Sequence, residues 1–198
     1  MNIGKDNIVM IRGIIIAGAV AVLLLALGGC SKKQDSGHSA TLGSATGSAA
    51  GVVWSIPARW QTQGQRQMRV ATYAIPAVEG DSEPAECAVF YFGSEQGGSV
   101  DANIDRWYGQ FNHAASPERG TMDVGGLKVT TVAISGAYLA PSGPMMAPTG
   151  EKENYRLLGA IVEAPQGLVF FKLTGPAKTV NAAHADLNSL VGSLTKQG

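Results

Sequence analysis

Apolar and polar positions alternate with two distinct periods between residues 52 and 194, and the change of period marks out the elements. The segment opens at Val52-Val53-Trp54-Ser55-Ile56-Pro57, which sets Trp54 and Trp60 across a proline turn. Gln67 to Ile75 alternates as a strand, with Met68, Val70 and Thr72 inward and Arg69, Ala71 and Tyr73 on the opposite face. A second strand spans Glu86 to Phe92, after the acidic turn Glu79–Pro84. Ser99 then starts the clearest helix, from Val100 to about Phe111, whose packing face is Val100, Ile104, Trp107, Tyr108 and Phe111 at intervals of three and four. Asn112 to Gly126 reads as a connection rich in turn formers, and Leu127 to Ile134 has strand composition. A long Pro/Gly-rich loop follows over residues 136–154. Tyr155 to Val162 and Leu168 to Pro176 form a central antiparallel hairpin around the turn Glu163–Gly167. Thr179 then caps a terminal helix with Val180, Ala183, Leu187, Leu190, Val191 and Leu194 on its apolar stripe.

Strands follow one another through hairpins instead of alternating with helices. This favours an α+β domain with an antiparallel sheet of about six strands covered by two or more helices, an α/β/α sandwich being one such arrangement. A doubly wound parallel sheet is disfavoured.

The N-terminal pattern is different in kind. Lys5 and Arg12 give a basic lead, an uncharged run extends from Gly13 to Gly29, and small residues precede Cys30. Leu27-Gly28-Gly29-Cys30 resembles the lipobox of bacterial lipoproteins, in which cleavage between Gly29 and Cys30 would leave a diacylglyceryl cysteine at the new amino terminus. Gly28 stands where the commoner residue is Ala or Ser. Two or three acyl chains make a durable anchor where one does not. An uncleaved transmembrane helix is the alternative, and both place the folded part outside the cytoplasmic membrane. Ser31 stands where that family's inner-membrane retention signal has Asp, which implies an outer-membrane destination, periplasmic face, in a cell that has one. The expected organisation is a signal peptide over 1–29, a lipidated cysteine and flexible Ser/Gly-rich tether over 30–51, and one globular domain over 52–198.

Charge changes the picture by exclusion. The chain carries 15 basic and 15 acidic residues, without the basic stripe or reading motif expected of a nucleic-acid partner. With Cys30 assigned to lipid, Cys87 is the remaining thiol, and its strand setting suits a buried small hydrophobe. His38, His113 and His184 are dispersed. No zinc, nucleotide, redox or nucleophile-elbow motif is present, so no cofactor, metal or catalytic set is expected. The candidate binding surface is Glu95, Gln96, Asn103, Arg106 and Met145, on the premise that residues 93–99 and 136–154 meet.

Gln96 to Trp107, together with Phe171 to Pro176 and the terminal helix, resembles a group of uncharacterised bacterial lipoproteins. The opening Trp54–Trp60 segment and the closing helix are similar to the Mog1/PsbP-like sandwich, whose members are mostly binding or assembly factors. The resulting expectation is a membrane-anchored, non-catalytic lipoprotein that binds or supports another envelope component. The alternatives are a carrier of a small apolar ligand, with Trp54, Trp60, Tyr73 and Trp107 lining its pocket, and an uncharacterised hydrolase.

Overall fold

The structure is a computed structural model that describes residues 45–141 and 148–197. It is a mixed α+β fold in which a large antiparallel sheet is flanked by helices on both faces, an α/β/α-like sandwich. The chain opens with β1 (Thr46–Ala49) and β2 (Val52–Ser55), an antiparallel hairpin. β1 lies inside the stretch read as tether. Next come β3 (Gln61–Thr62), β4 (Ala71–Ile75), β5 (Ala85–Tyr91) and α1 (Val100–Tyr108). After α1 the chain runs through β6 (Phe111–Asn112), β7 (Glu118–Val124), β8 (Leu127–Pro141), β9 (Pro148–Ala164) and β10 (Gly167–Pro176). It closes with α2 (Ala177–Ala182), α3 (His184–Gly192) and β11 (Thr195–Lys196).

The eight-stranded sheet has the order β3-β4-β5-β10-β9-β8-β6, with β7 also paired to β8, and β1, β2 and β11 form a separate three-stranded sheet. The β9–β10 hairpin holds the middle, as its near-continuous apolar runs require of strands covered on both faces. Phe170, Phe171 and Leu173 are fully buried, and each such side chain contributes about 1.5–3 kcal/mol. Alternation along β9 and β10 sorts the core into two layers. Leu158, Ala160, Val162, Phe171 and Leu173 pack beneath the small sheet, α2 and α3. Leu157, Ile161 and Phe170 pack with Ile104 and Trp107 of α1 on the other face.

Several elements depart from the sequence reading for identifiable reasons. Met68 and Val70 are exposed instead of inward, because the chain turns at Met68 (φ 62°) and β4 starts only at Ala71. Tyr73 is the buried tyrosine of that strand, and its hydroxyl accepts from Trp54 Nε1 at 3.0 Å. α1 ends at Tyr108, which is exposed, so Phe111 reaches the core from β6. The connection over 112–126 contains β7, whose residues are almost all exposed and show no apolar alternation. The loop expected over 136–154 is largely strand: β8 runs on to Pro141 and β9 starts at Pro148, with register irregularities after Gly136 and Leu139. The terminal helix is two helices meeting at Ala183. Thr179 lies inside the first, and its N–H and hydroxyl both donate to Asp81 Oδ2, at 2.8 and 2.6 Å. The cap thus comes from the acidic turn, across the fold. Cys87 is fully buried in β5, and burial pushes its thiol far above the ordinary range.

Candidate functional site

The first turn of α1 is fixed by Ser99, whose hydroxyl accepts from the Ala102 N–H at 3.2 Å. One turn further on, Asn103 is buried, and its amide nitrogen donates to the carbonyls of Gly97 and Ser99 at 2.7 and 2.8 Å. This binds the 93–99 loop to the helix. Its oxygen accepts from Arg106 Nη1 at 2.9 Å. Asn103 is thereby committed to positioning: it holds the loop with one end and aims Arg106 with the other.

Gly97 completes the seat of the loop. Its φ of 90° suits glycine, and a Cβ there would come within 3.1 Å of Phe92 and 3.3 Å of Phe170. The loop backbone thus rests directly on the rings that floor a cavity of about 170 Å³ between α1 and the β5–β10 pair. Phe90, Phe92 and Phe170 form the floor, and Arg106, Trp107 and Gln110 of α1 form the wall. Phe90 and Phe92 stack at 6.0 Å, and Trp107 meets Phe170 edge-on at 6.4 Å.

Lys172 closes the far end. Its Nζ donates to Gln110 Oε1 at 2.6 Å and lies 5.6 Å from the Tyr138 ring centre. Both partners are neutral. Burial first, and then the nearby Arg69 guanidinium, pull the Lys172 ammonium down to about 8, with Glu86 opposing. Arg69 sits 5.6 Å from the centre of the Phe90 ring and pairs with Glu86 at 2.6 Å, while Arg66 takes the other oxygen of the same carboxylate at 2.8 Å. Arg66, Arg69 and Lys172 thus lie near the Glu86 carboxylate, and Arg106 joins Lys172 in lining the aromatic groove. Such a surface suits an anion carrying a flat or apolar group.

Of the residues singled out from sequence, Asn103 and Arg106 line this groove. Glu95 and Gln96 lie on the adjoining loop, Glu95 at φ 59°, and neither lines it. Met145 lies outside the described residues, as do Gly29, Cys30 and the leader. Gly97 lies against Phe92 and Phe170 at one end of the groove, and Tyr138 lies over Lys172 at the other. Tyr138 also stacks on Tyr155 at 5.5 Å, and Lys152 bridges Tyr155 and Glu83 at 3.2 and 2.5 Å. That bridge lowers the Glu83 carboxyl and raises the Lys152 ammonium.

Lys172, Arg69, Phe90 and Phe92 were not singled out from sequence. Lys172 carried a usable signal, because it is the sole charge in the apolar run Leu168–Leu173. Trp54, Trp60 and Tyr73, considered as pocket lining, belong to the packed core beneath the small sheet.

No family model matches the chain, and no curated protein matches it. Among solved structures, the cyanobacterial PsbP (CyanoP) of Synechocystis is similar at 10% identity and a TM-score of 0.48, over 74% of this chain and 87% of that one. A protein of unknown function from Pseudomonas aeruginosa, described as a putative regulator, is similar at 11% identity and a TM-score of 0.47, over 78% of this chain and 98% of that one. The chain weakly resembles the PsbP-like fold.

Proposed function

We propose that the chain is a lipoprotein anchored through Cys30 whose domain is a non-catalytic binding module of the cell envelope. Its groove receives an anionic, partly apolar group of another envelope component. The leader and the Leu27–Cys30 pattern support the anchor. The observation that carries the binding role is the half-buried Lys172 ammonium, which has a neutral amide oxygen and a tyrosine face as partners and makes no ion pair among the described residues. A half-buried cation in this state gains from an incoming anion, because the fold has already met part of its desolvation.

The test is a photo-crosslinking residue placed at Phe92 in the full chain, with illumination of intact cells. A defined adduct is expected, lost on Lys172→Met and on Arg106→Gln. No adduct beyond that from the same probe at exposed Met122 would sink the binding reading. Intact mass of the membrane-extracted protein tests the anchor: a chain starting at Cys30 with added acyl mass is expected, and a full-length unmodified chain would refute it.

A further inference from the structure

The α1 face of the large sheet is covered only in part. Ile104 and Trp107 of α1 pack with Val132, Leu157, Ile161 and Phe170 of β8, β9 and β10, and Phe90 of β5 is only partly buried. The helices α2 and α3 belong to the other layer. Over β4 the turn of residues 64–70 takes the place of a helix. Arg69 Nη1 donates to Thr72 Oγ1 at 3.4 Å, and Arg66 and Arg69 share the Glu86 carboxylate. Thr72 is 2% exposed beneath this turn, whereas the tip of the turn stands out.

That tip is apolar and cationic together. Met68, at φ 62°, is 68% exposed, Val70 is 44% exposed, and Phe92 beside the groove is 37% exposed. These are three of the five large apolar side chains exposed among the described residues. The Val70 N–H donates to the Val89 carbonyl of β5 at 3.0 Å. On the same strand, the Phe90 ring lies 6.0 Å from that of Phe92 and 5.6 Å from the Arg69 guanidinium. The three exposed apolar residues therefore border one patch. Its basic groups are Arg66, Arg69, Arg106 and Lys172, and its acidic groups are Glu86 and Glu95 of the adjoining loop. The other two acids of α1, Asp101 and Asp105, turn away to Arg119 of β7. An excess of positive charge is left around exposed apolar side chains.

We propose that this patch docks on an anionic lipid surface, with Met68, Val70 and Phe92 entering the interface and Arg66 and Arg106 meeting lipid phosphates. The inference rests on the anchored, anion-binding reading above and names its anionic group as a lipid phosphate. Basic side chains flanking protruding apolar ones match an anionic leaflet, which attracts each positive charge close to it. An extended peptide would require a free strand edge, and the edge of β4 beside the turn is taken by β3. Cys30 lies 15 positions before Ala45, and a chain of that length spans at most about 50 Å, so an anchor at Cys30 keeps the patch within reach of the bilayer.

Met68 serves as the probe. The full chain, carrying ¹³C in its methionine methyl groups, is placed in nanodiscs of equal parts phosphatidylcholine and phosphatidylglycerol, with nitroxides on a small share of the acyl chains. Met68→Leu and Met122→Leu assign the two resonances. The Met68 methyl is expected to broaden several-fold more than that of Met122, which is exposed on β7 at the other side of the sheet. This excess disappears in discs of phosphatidylcholine alone. In Arg66→Gln the docked population falls roughly fivefold, the share of one basic residue at an anionic surface, and circular dichroism confirms that the variant is folded. Met68 broadening no greater than that of Met122, or equal in the two lipids, would overturn the assignment. Intact mass of the same sample reports the anchor and the Phe92 adduct reports the groove. An adduct on a protein, with no excess broadening of Met68, would overturn the lipid surface and leave the groove reading standing.

Discussion

Gly159 lies under the indole of Trp107, and replacing it with alanine tests how α1 is held over the sheet. An added Cβ would come within 2.4 Å of Trp107 Cζ3 and 2.8 Å of Val132 Cγ1. Carbon atoms attract best at about 3.5–4.0 Å, so the overlap with the ring is about 1 Å. Neither neighbour can give way alone: Trp107 packs edge-on against Phe170, and both Trp107 and Val132 are buried. Strand propensity on its own favours alanine by roughly 0.5–1 kcal/mol, whereas overpacking of a filled core costs about 1–3 kcal/mol. The expected net loss is on the order of 1–2 kcal/mol in urea unfolding of the full chain, followed by tryptophan fluorescence. Because the displaced ring belongs to the wall that also carries Arg106, groove crosslinking from Phe92 falls in the same variant. A double-mutant cycle with Trp107→Leu isolates the contact: with the indole gone, the cost of Gly159→Ala should shrink by at least half. A neutral Gly159→Ala, or the same loss in both backgrounds, refutes the packing described for α1.

Three further outcomes follow from the same structure. The Lys172 ammonium has a folded value of about 8 against an ordinary 10.5, so between those pH values the unfolded chain binds more protons and this group makes stability rise with pH. Urea midpoints measured across that window should rise more steeply for the wild type than for Lys172→Met, and crosslinking through the groove should weaken above pH 8; parallel stability profiles would refute the assignment. Asp81→Ala removes the acceptor shared by the Thr179 N–H and hydroxyl and should cost about 1–2 kcal/mol in urea unfolding, with Asp81→Asn losing less. Cys87, buried and raised in pKa, should resist maleimide in the native protein and react on unfolding, as peptide mapping of residue 87 would show.

The sequence made the centre of the sheet legible and hid its margins, for one physical reason. Tyr155–Val162 and Leu168–Pro176 are buried on both faces, so their composition alone declares them. β7 is an edge strand of Glu118, Arg119, Thr121 and Asp123, the polar composition that discourages further pairing, and such a strand resembles a loop. The strands after Gly136 are hard to read from sequence because Gly136, Pro141 and Pro148 sit at a strand irregularity and at strand ends. In the groove, Arg106 reads from sequence as one of three charged residues on the solvent side of α1, with Asp101 and Asp105. Asn103 was legible too, but its role as a clamp depends on Gly97 and Ser99 folding back over it. Lys172 required knowing that its strand is central. Arg69 required the turn at Met68, which swings its side chain over Phe90.

The pairing of β2 with both β1 and β11 has a mechanical consequence. Tension arriving from residues before Thr46 reaches β1 first, and β1 forms a hairpin ladder with β2 in which Thr46 pairs with Ser55 at the pulled end. Load applied there opens the ladder one rung at a time, like a zip, instead of shearing all its bonds together. β1 can therefore peel away at low force, while the eight-stranded sheet lies beyond the rupture. The small sheet would act as a fuse that lengthens under strain and reseals, leaving the large sheet intact while the amino-terminal end is pulled.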